Sequence, residues 1–465
     1  MSPSPSSTAP AAVRHGVDVA RLAALVARER ASFAARRPTS ATRAAEARDH
    51  WLDGVPLHWM TDWGLPFPLF VAEAHGATLV DVDGHAHADF CLGDTGSMFG
   101  HAPAPVVAAI EAQARRGMTA MMPSALVPEV GRLLAARFGL PRWQITMTAS
   151  DANRSVIRWA RAATGRPNIL IFDGAYHGAV DDTHVRLRDG RPILRPGLMG
   201  QVWDLTAHTR VVQFNDLAAV EAALADRSVA LVLTEPVMTN IGMVQPEPGF
   251  HAGLRALTRT HGTLLAIDET HTISSGPGGY TRLHDLDPDF FVVGKPIAGG
   301  LPAAVWGFTE EVARAMTAAR LATPGYSGMG TTLTANALAI AAMRANLTEV
   351  MTEAAYAGMI ARAGRLAAAL EVVVARHGLP WVVTSVGARV EFMLSPTRPR
   401  NGGEAGLIGD AEIEGALRLY LLERGVVITP FHNMMLVSPA TTDADVDRLV
   451  ATLDAALAEI AARTG

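Results

Sequence analysis

The chain carries a single cysteine, Cys91, among 465 residues. No disulfide can close within it, and no zinc site built from several thiolates is available. A lone thiol fits a reducing compartment, so the cytoplasm is the expected location. No stretch approaches the roughly 18 uninterrupted apolar residues of a membrane-crossing helix. An excess of one charge sign is also missing: 40 basic residues stand against 45 acidic ones, a formal charge of −5, and neither sign forms a long block. Nucleic acid and anionic membranes thus have no compositional support as partners, which leaves small molecules. The opening MSPSPSSTAPAA lacks the apolar core of a secretory signal, and residues 1–16 are read as a flexible tail.

Apolar residues are plentiful at 49%, with aromatics at only 6%, as in a soluble α/β protein rich in Ala, Val and Leu. The length exceeds what one compact core usually holds. Residues 17–90 read as one or two helices and then a β-hairpin or meander around Asp83-Gly84, an N-terminal segment contributing to a small domain. Residues 91–335 read as the large domain. There QITMTA (144–149), NILIFDG (168–174), VALVLTEP (229–236), TLLAIDE (263–269) and DFFVVGK (289–295) alternate with helical stretches such as ANRSVIRWARAATG (152–165) and FHAGLRALTRTHG (250–262). Short runs apolar on both faces and separated by helices predict a mostly parallel sheet with helices on both sides. Residues 336–465 hold a long Ala-rich helical stretch, strand-like runs at 381–394 and 425–439, and two further helices, the pattern of a smaller α+β domain.

In such sheets ligands bind at the carboxyl ends of the strands, where Asp173, Glu235, Asp268 and Lys295 all fall. A lysine closing an apolar strand before a Gly-Gly turn invites a covalent role, which needs an electrophilic partner and a neutral amine. Pyridoxal phosphate supplies the aldehyde and makes three further demands: a phosphate cup, a carboxylate for its pyridine nitrogen, and a flat group over its ring. Asp268 lies one helix-and-strand unit before Lys295 and suits the nitrogen. TMTASDANRS (146–155) runs from a strand into a helix N-terminus, where free N–H groups and the helix dipole favour phosphate, with Ala149 and Ser150 at the turn. In FDGAYHG (172–178), Tyr176 suits the ring face and Gly178 a close backbone approach. Asp268-Glu269 with His271 also resembles a metal cluster, but no matching His pair stands elsewhere, and no metal is expected.

The segments TASDANRSVIRWARAATGR, AYHG, EPVMTNIGMVQPEPGF, LLAIDET, VVGKPIAGGLPAAVWG and TTLTANALA occur in this order. Through them the chain from about residue 65 to 460 resembles the class III aminotransferases, pyridoxal-phosphate enzymes of fold type I. Within that family it is similar to the branch of glutamate-1-semialdehyde aminomutase and its aminotransferase relatives. The resemblance implies that Lys295 forms a Schiff base with the cofactor and that Asp268 holds the ring nitrogen. It further implies that Ala149 and Ser150 bind the phosphate together with Thr332 from the neighbouring subunit of a homodimer. Tyr176 then covers one ring face and Thr270 the other, while Glu235 and Asn240 lie close to cofactor and substrate.

Two departures stand out. Thr148-Ala149-Ser150-Asp151-Ala152 replaces the family's usual Ser-Gly-Thr-Glu-Ala, and THTISSGPGGY follows Asp268-Glu269 where Gly-Phe-Arg is common. The second segment borders the active site in the family, so substrate preference does not transfer directly. Arg389, Arg398 and Arg400 are candidates for gripping a substrate carboxylate, and Trp59 and Trp63 for lining an apolar pocket. The expected activity is a ping-pong aminotransferase that moves an amino group from an amine or amino acid, including D- or β-amino acids with an apolar group, to a 2-oxo acid acceptor. The alternative is an aminomutase that shifts the group within one molecule. A cofactor-binding regulator on the same fold would need DNA-binding helices or a basic patch, and neither is apparent.

Overall fold

A computed structural model describes residues 13–462. Residues 1–12, most of the expected tail, lie outside the described residues. The other four do not form a tail. Val13–Arg14 pairs antiparallel with Val17–Asp18. The intervening turn is held from the far end of the chain: His15 O accepts from Trp381 Nε1 at 2.8 Å and Gly16 O from Ala462 N at 2.9 Å. Local composition carries no sign of such distant partners.

The central sheet has seven strands. From edge to edge they are Thr209–Val212, Asn168–Phe172, Val229–Thr234, Leu264–Asp268, Phe290–Val293, Ala304–Phe308 and Arg142–Thr146. The first five are mutually parallel, and Ala304–Phe308 is antiparallel to both its neighbours. The apolar-on-both-faces pattern has its reason in burial on both sides. Ile169 and Ile171 pack with Val156, Ile157 and Ala160 of the helix Ala149–Thr164. Leu170 and Phe172 point the other way, into Val220, Leu224, Phe250 and Leu254 of the helices Leu217–Leu224 and Phe250–His261. Each such side chain contributes on the order of 1.5–3 kcal/mol on burial. The first strand differs from the expected 144–149. It ends at Thr146, because Thr148 accepts from Asp151 N at 3.1 Å and so caps a helix that starts at Ala149.

Flanking this body are a three-stranded antiparallel sheet, Val382–Val386, Arg389–Met393 and Met434–Leu436, and a four-stranded one. The latter joins Val71–His75, Thr78–Asp81 and Ala86–Asp89 to Val426–Val427. Helices Val19–Arg36, Glu353–Arg376, Ala411–Glu423 and Asp443–Ile460 share one apolar cluster in which Leu22, Leu25 and Phe90 meet Leu366, Val390, Leu417 and Leu449. Cys91 is buried beside it, where desolvation pushes its thiol pKa up. No helix among the described residues is long and apolar enough to cross a membrane.

Arg37 ties the N-terminal helices to the C-terminal elements. It is fully buried, with Nε 3.3 Å from Asp81 Oδ2 and Nη1 hydrogen-bonded to Glu423 Oε1. Burial raises the pKa of Asp81, but hydrogen bonds from the backbone of His85 and the rings of His87 and His85 outweigh it, and the carboxyl stays below its ordinary value. Stability from Asp81 is therefore complete above its unfolded pKa near 3.8 and fades as pH falls through the lower folded value. Arg37→Met leaves two carboxylates buried without their cation. It is expected to cost about 3–5 kcal/mol of unfolding free energy at pH 7, measured by urea denaturation.

Candidate active site

A cavity of about 330 Å³ opens at the carboxyl ends of the central strands. Ala149, Ser150, Tyr176, Glu235, Asp268, Thr270 and Lys295 all line it, together with His177, Gly178 and His271. A larger cavity, about 520 Å³, lies by Phe250, His251, Tyr280 and Asp287 and holds none of these groups, so size alone does not mark the site.

Asp268 ends a central strand and is buried. Its Oδ2 accepts from Asn153 Nδ2 at 2.8 Å and faces His177 Nδ1 at 3.0 Å. Its Oδ1 accepts from Thr270 N at 3.1 Å and Thr270 Oγ1 at 2.6 Å. Burial acts to raise its pKa, but the hydrogen bond and charge of His177, with the donors Thr270 and Asn153, hold it below the ordinary value. It is a buried, ionised acceptor. Glu235 differs: burial dominates and raises its pKa although Thr239 donates to Oε2 through N at 3.0 Å and Oγ1 at 2.6 Å. Asp173, the fourth strand-end charge, turns away and accepts from Leu187 N and Gln213 Nε2.

Ala149 and Ser150 begin the helix Ala149–Thr164, whose leading N–H groups have no intrahelical acceptor. The loop Tyr176–Gly178 closes over this end, and Ser150 Oγ accepts from Ala179 N at 3.0 Å. Gly178 has φ +85°, and a Cβ there would fall 2.0 Å from Ser150 Oγ. Only glycine allows so close an approach.

Lys295 stands at the next strand end, in a left-handed backbone conformation with φ 45°. Its Nζ donates to Asp94 Oδ2 at 2.6 Å and contacts His271 Nε2. Asp94 belongs to a turn in which Leu92, Gly93, Asp94 and Thr95 all have positive φ, 49°, 59°, 48° and 86°. Left-handed backbone costs an L-residue about 1–2 kcal/mol. The turn is held by Asp89 Oδ1, which accepts from Cys91 N and Leu92 N, and by Ser97 N donating to Leu92 O. Although burial acts to raise its pKa, Asp94 is driven far below the ordinary carboxylate value by the charges of Lys295 and Arg389. Burial, then the Lys295 charge, pushes the His271 imidazole well below its usual pKa, so it is neutral at pH 7. His271 is placed by the unusual segment after Asp268. Glu269, also buried, accepts from Thr272 Oγ1 at 2.7 Å, Tyr280 N at 3.1 Å and Thr281 N, and folds that segment onto itself.

The structure does not bring every candidate to the cavity. Arg389 is fully buried, and burial pulls its pKa down to about 10. Its guanidinium donates to Thr95 Oγ1, to Ser274 Oγ at 3.1 Å and to His271 O at 3.1 Å, so it clamps the two segments that carry the partners of Lys295 instead of meeting a ligand. Arg398 donates to Val383 O, and Arg400 pairs with Glu247. Trp59 is exposed outside the cavity, and Trp63 packs near Phe33 and Cys91. Neither Asn240 nor the exposed Thr332 lines the cavity of this chain. Sequence reasoning missed Asn153 and Asp94. Asn153 falls one turn into a recognised helix, and its position there is the signal that could have found it; Asp94, between glycine and threonine in an irregular loop, has none.

The residues present fit pyridoxal phosphate. The cavity offers a lysine amine, an ionised carboxylate, a helix N-terminus and a cradle that a Cβ at Gly178 would fill. Asp94 Oδ1, His177 Nε2, Glu235 Oε1 and His271 Nδ1 are buried without a hydrogen-bond partner among the described residues, as befits a site shaped for a polar ligand.

Comparison with known proteins agrees. The model of the family "Aminotransferase class-III" matches residues 59–457. A glutamate-1-semialdehyde 2,1-aminomutase from Desulfitobacterium hafniense is 33% identical over 386 residues, 82% of this chain and 88% of that protein. The crystal structure of a glutamate-1-semialdehyde-aminomutase from Pseudomonas aeruginosa PAO1 superposes with a TM-score of 0.93 at 50% identity, covering 96% of this chain and 99% of that one. An omega-transaminase from Sphaerobacter thermophilus follows at 0.84 and 28%, covering 92% and 99%. The chain therefore belongs to the class III aminotransferase family, in the branch similar to the glutamate-1-semialdehyde aminomutases, and pyridoxal phosphate is its cofactor.

Proposed function

We propose that the protein moves an amino group between neighbouring carbons of one small molecule, as a glutamate-1-semialdehyde aminomutase does. The observation that carries amino-group chemistry is the single cavity shared by Lys295 Nζ and the buried, ionised Asp268. The choice of an internal shift is supported by the aminomutase relatives, similar over more than four-fifths of the chain. A second reading, transfer from an amine or amino acid to a 2-oxo acid, draws support from the omega-transaminase likeness and from the departure after Asp268-Glu269.

Bound pyridoxal phosphate supplies an aldehyde that captures amines and a ring that spreads the electron pair left when the adjacent carbon loses a proton. The chain's own residues do the rest. Ala149 and Ser150 offer the helix N-terminus to the phosphate, with Thr332 of the partner subunit completing the cup in a homodimer. Asp268, ionised and braced by His177 and Asn153, would accept from the ring N–H and keep that nitrogen protonated. Tyr176 and Thr270 would bound the ring. Lys295 would hold the cofactor through its amine, and its freed Nζ would take up and return a proton at the substrate carbon. For this it must be a neutral amine; Asp94 and His271 hold Nζ in place.

Gly178→Ala is expected to weaken cofactor retention about tenfold, the loss of roughly one charge-assisted hydrogen bond as Ser150 is displaced. Equilibrium dialysis followed by visible absorbance measures this, and wild-type retention would remove Ser150 from the cup. Mode of transfer is read by supplying a 2-amino aldehyde, glutamate-1-semialdehyde, without donor or acceptor. Formation of the isomer aminated at the terminal carbon, with Lys295→Ala slower by roughly 100- to 10,000-fold, is the expected result. If turnover instead requires a separate donor and a 2-oxo acid, the second reading replaces the first.

A further inference from the structure

We infer that the cavity of about 520 Å³ beside Phe250 and Tyr280 is a second ligand site, built for a small anion that carries a flat ring. It goes beyond the amino-group reading, since no residue that lines the cavity of Lys295 also lines this one. One wall is the start of the helix Phe250–His261. Its N-cap is Gly249 at φ +84°, so no side chain caps the helix, and a Cβ there would meet nothing within 4 Å. Phe250 N donates to Glu247 O at 3.0 Å and Gly253 N to Gly249 O at 2.9 Å. Between them, the N–H groups of His251 and Ala252 have no acceptor among the described residues. Two free donors at the positive end of a helix dipole favour an anion.

Tyr280 makes an independent demand for a ligand. It lines the cavity with only 9% of its surface exposed, and its hydroxyl has no hydrogen-bond partner among the described residues. Its backbone N donates to Glu269 Oε2 at 3.1 Å, which fixes the residue. Burial, then the charge of Glu269, pushes the phenol pKa up, so the hydroxyl remains a donor. Flat surfaces surround it: His284 stacks on Tyr280 with ring centroids 3.9 Å apart, and the His251 ring lies 6.2 Å from Tyr280. Burial lowers the pKa of both imidazoles, so each presents an uncharged face at pH 7. Ala256, Leu265, Ile267 and Leu286 add apolar lining, which suits a stacked ring. The charged groups at the rim do not repel an anion strongly. Asp287 pairs with Arg255 and Arg259, and Glu247 with Arg400. Asp285 is exposed, where water and salt screen it.

The test uses the enzyme loaded with pyridoxal phosphate and two ring-bearing anions, benzoate and adenosine monophosphate; the tighter of them tells a carboxylate from a phosphate site. Acetate, an anion without a ring, and benzamide, a ring without a charge, are the comparisons. Calorimetry gives the affinities, and hydrogen exchange read by mass spectrometry locates the bound probe. The better ring anion is expected to bind at least about tenfold more tightly than acetate or benzamide, the equivalent of one hydrogen bond to a charged group. It should slow exchange over residues 249–256 and leave the visible band unchanged. Tyr280→Phe should weaken it about tenfold for the same reason, and Ala256→Phe, which fills the cavity, should abolish binding. Thermal melting confirms that both variants are folded. No binding of either ring anion up to about 10 mM overturns the proposal. So does a shifted visible band, or unchanged affinity in either folded variant, since each places the probe elsewhere. Absence of the visible band in the loaded enzyme would overturn the amino-group reading alone, because calorimetry and exchange do not depend on it.

Discussion

The site is organised by the need to keep one carboxylate ionised inside a protein. Asp268 stands at the end of a strand buried on both faces, where an unsolvated charge is affordable only with several hydrogen bonds around it. Its four bonds recruit Asn153 from the helix after the first strand, His177 from the loop after the second, and Thr270 from its own turn. Meeting that electrostatic demand fixes three loops relative to one another. The same bonds set the helix N-terminus and the Tyr176 loop against one another in the cavity wall. A neutral residue at this point would relax the geometry of the cavity walls as well as its charge.

The parts of this arrangement that were legible in the sequence share a physical origin. Strands buried on both faces must be apolar throughout, so the parallel sheet is written in runs such as VALVLT, and ligand residues follow at the strand ends. Lys295, Asp268 and the Ala149-Ser150 turn were readable for that reason. What escaped depends on partners far away in the chain. Asp94 faces Lys295 from a left-handed turn that is held in part by Arg389, which belongs to a strand almost 300 residues later. Arg389 looked like a free cation at the sequence level because charge alone does not reveal that a guanidinium will be buried as a clamp. Trp59 and Trp63 likewise read as pocket aromatics, but one stays exposed and the other packs against Phe33 and its neighbours.

Two carboxylates near Lys295 thus have separate tasks. Asp268 is saturated with donors and faces the cofactor ring in our reading, whereas Asp94 keeps one oxygen without a partner. Glu235, dominated by burial, has its pKa raised above the ordinary carboxylate value. The site distinguishes these acids by hydrogen-bond supply, not by their number.

The Arg389 clamp also bears on how the protein assembles. Lys295 is oriented by groups from residues 94 and 271, and those are pinned by residue 389, so this end of the cavity closes only when segments from most of the chain have docked. Contacts of such long sequence separation form late in folding, after loop-closure entropy has been overcome. A growing chain that stops short of residue 389 therefore has Lys295 but not the clamp that positions its partners.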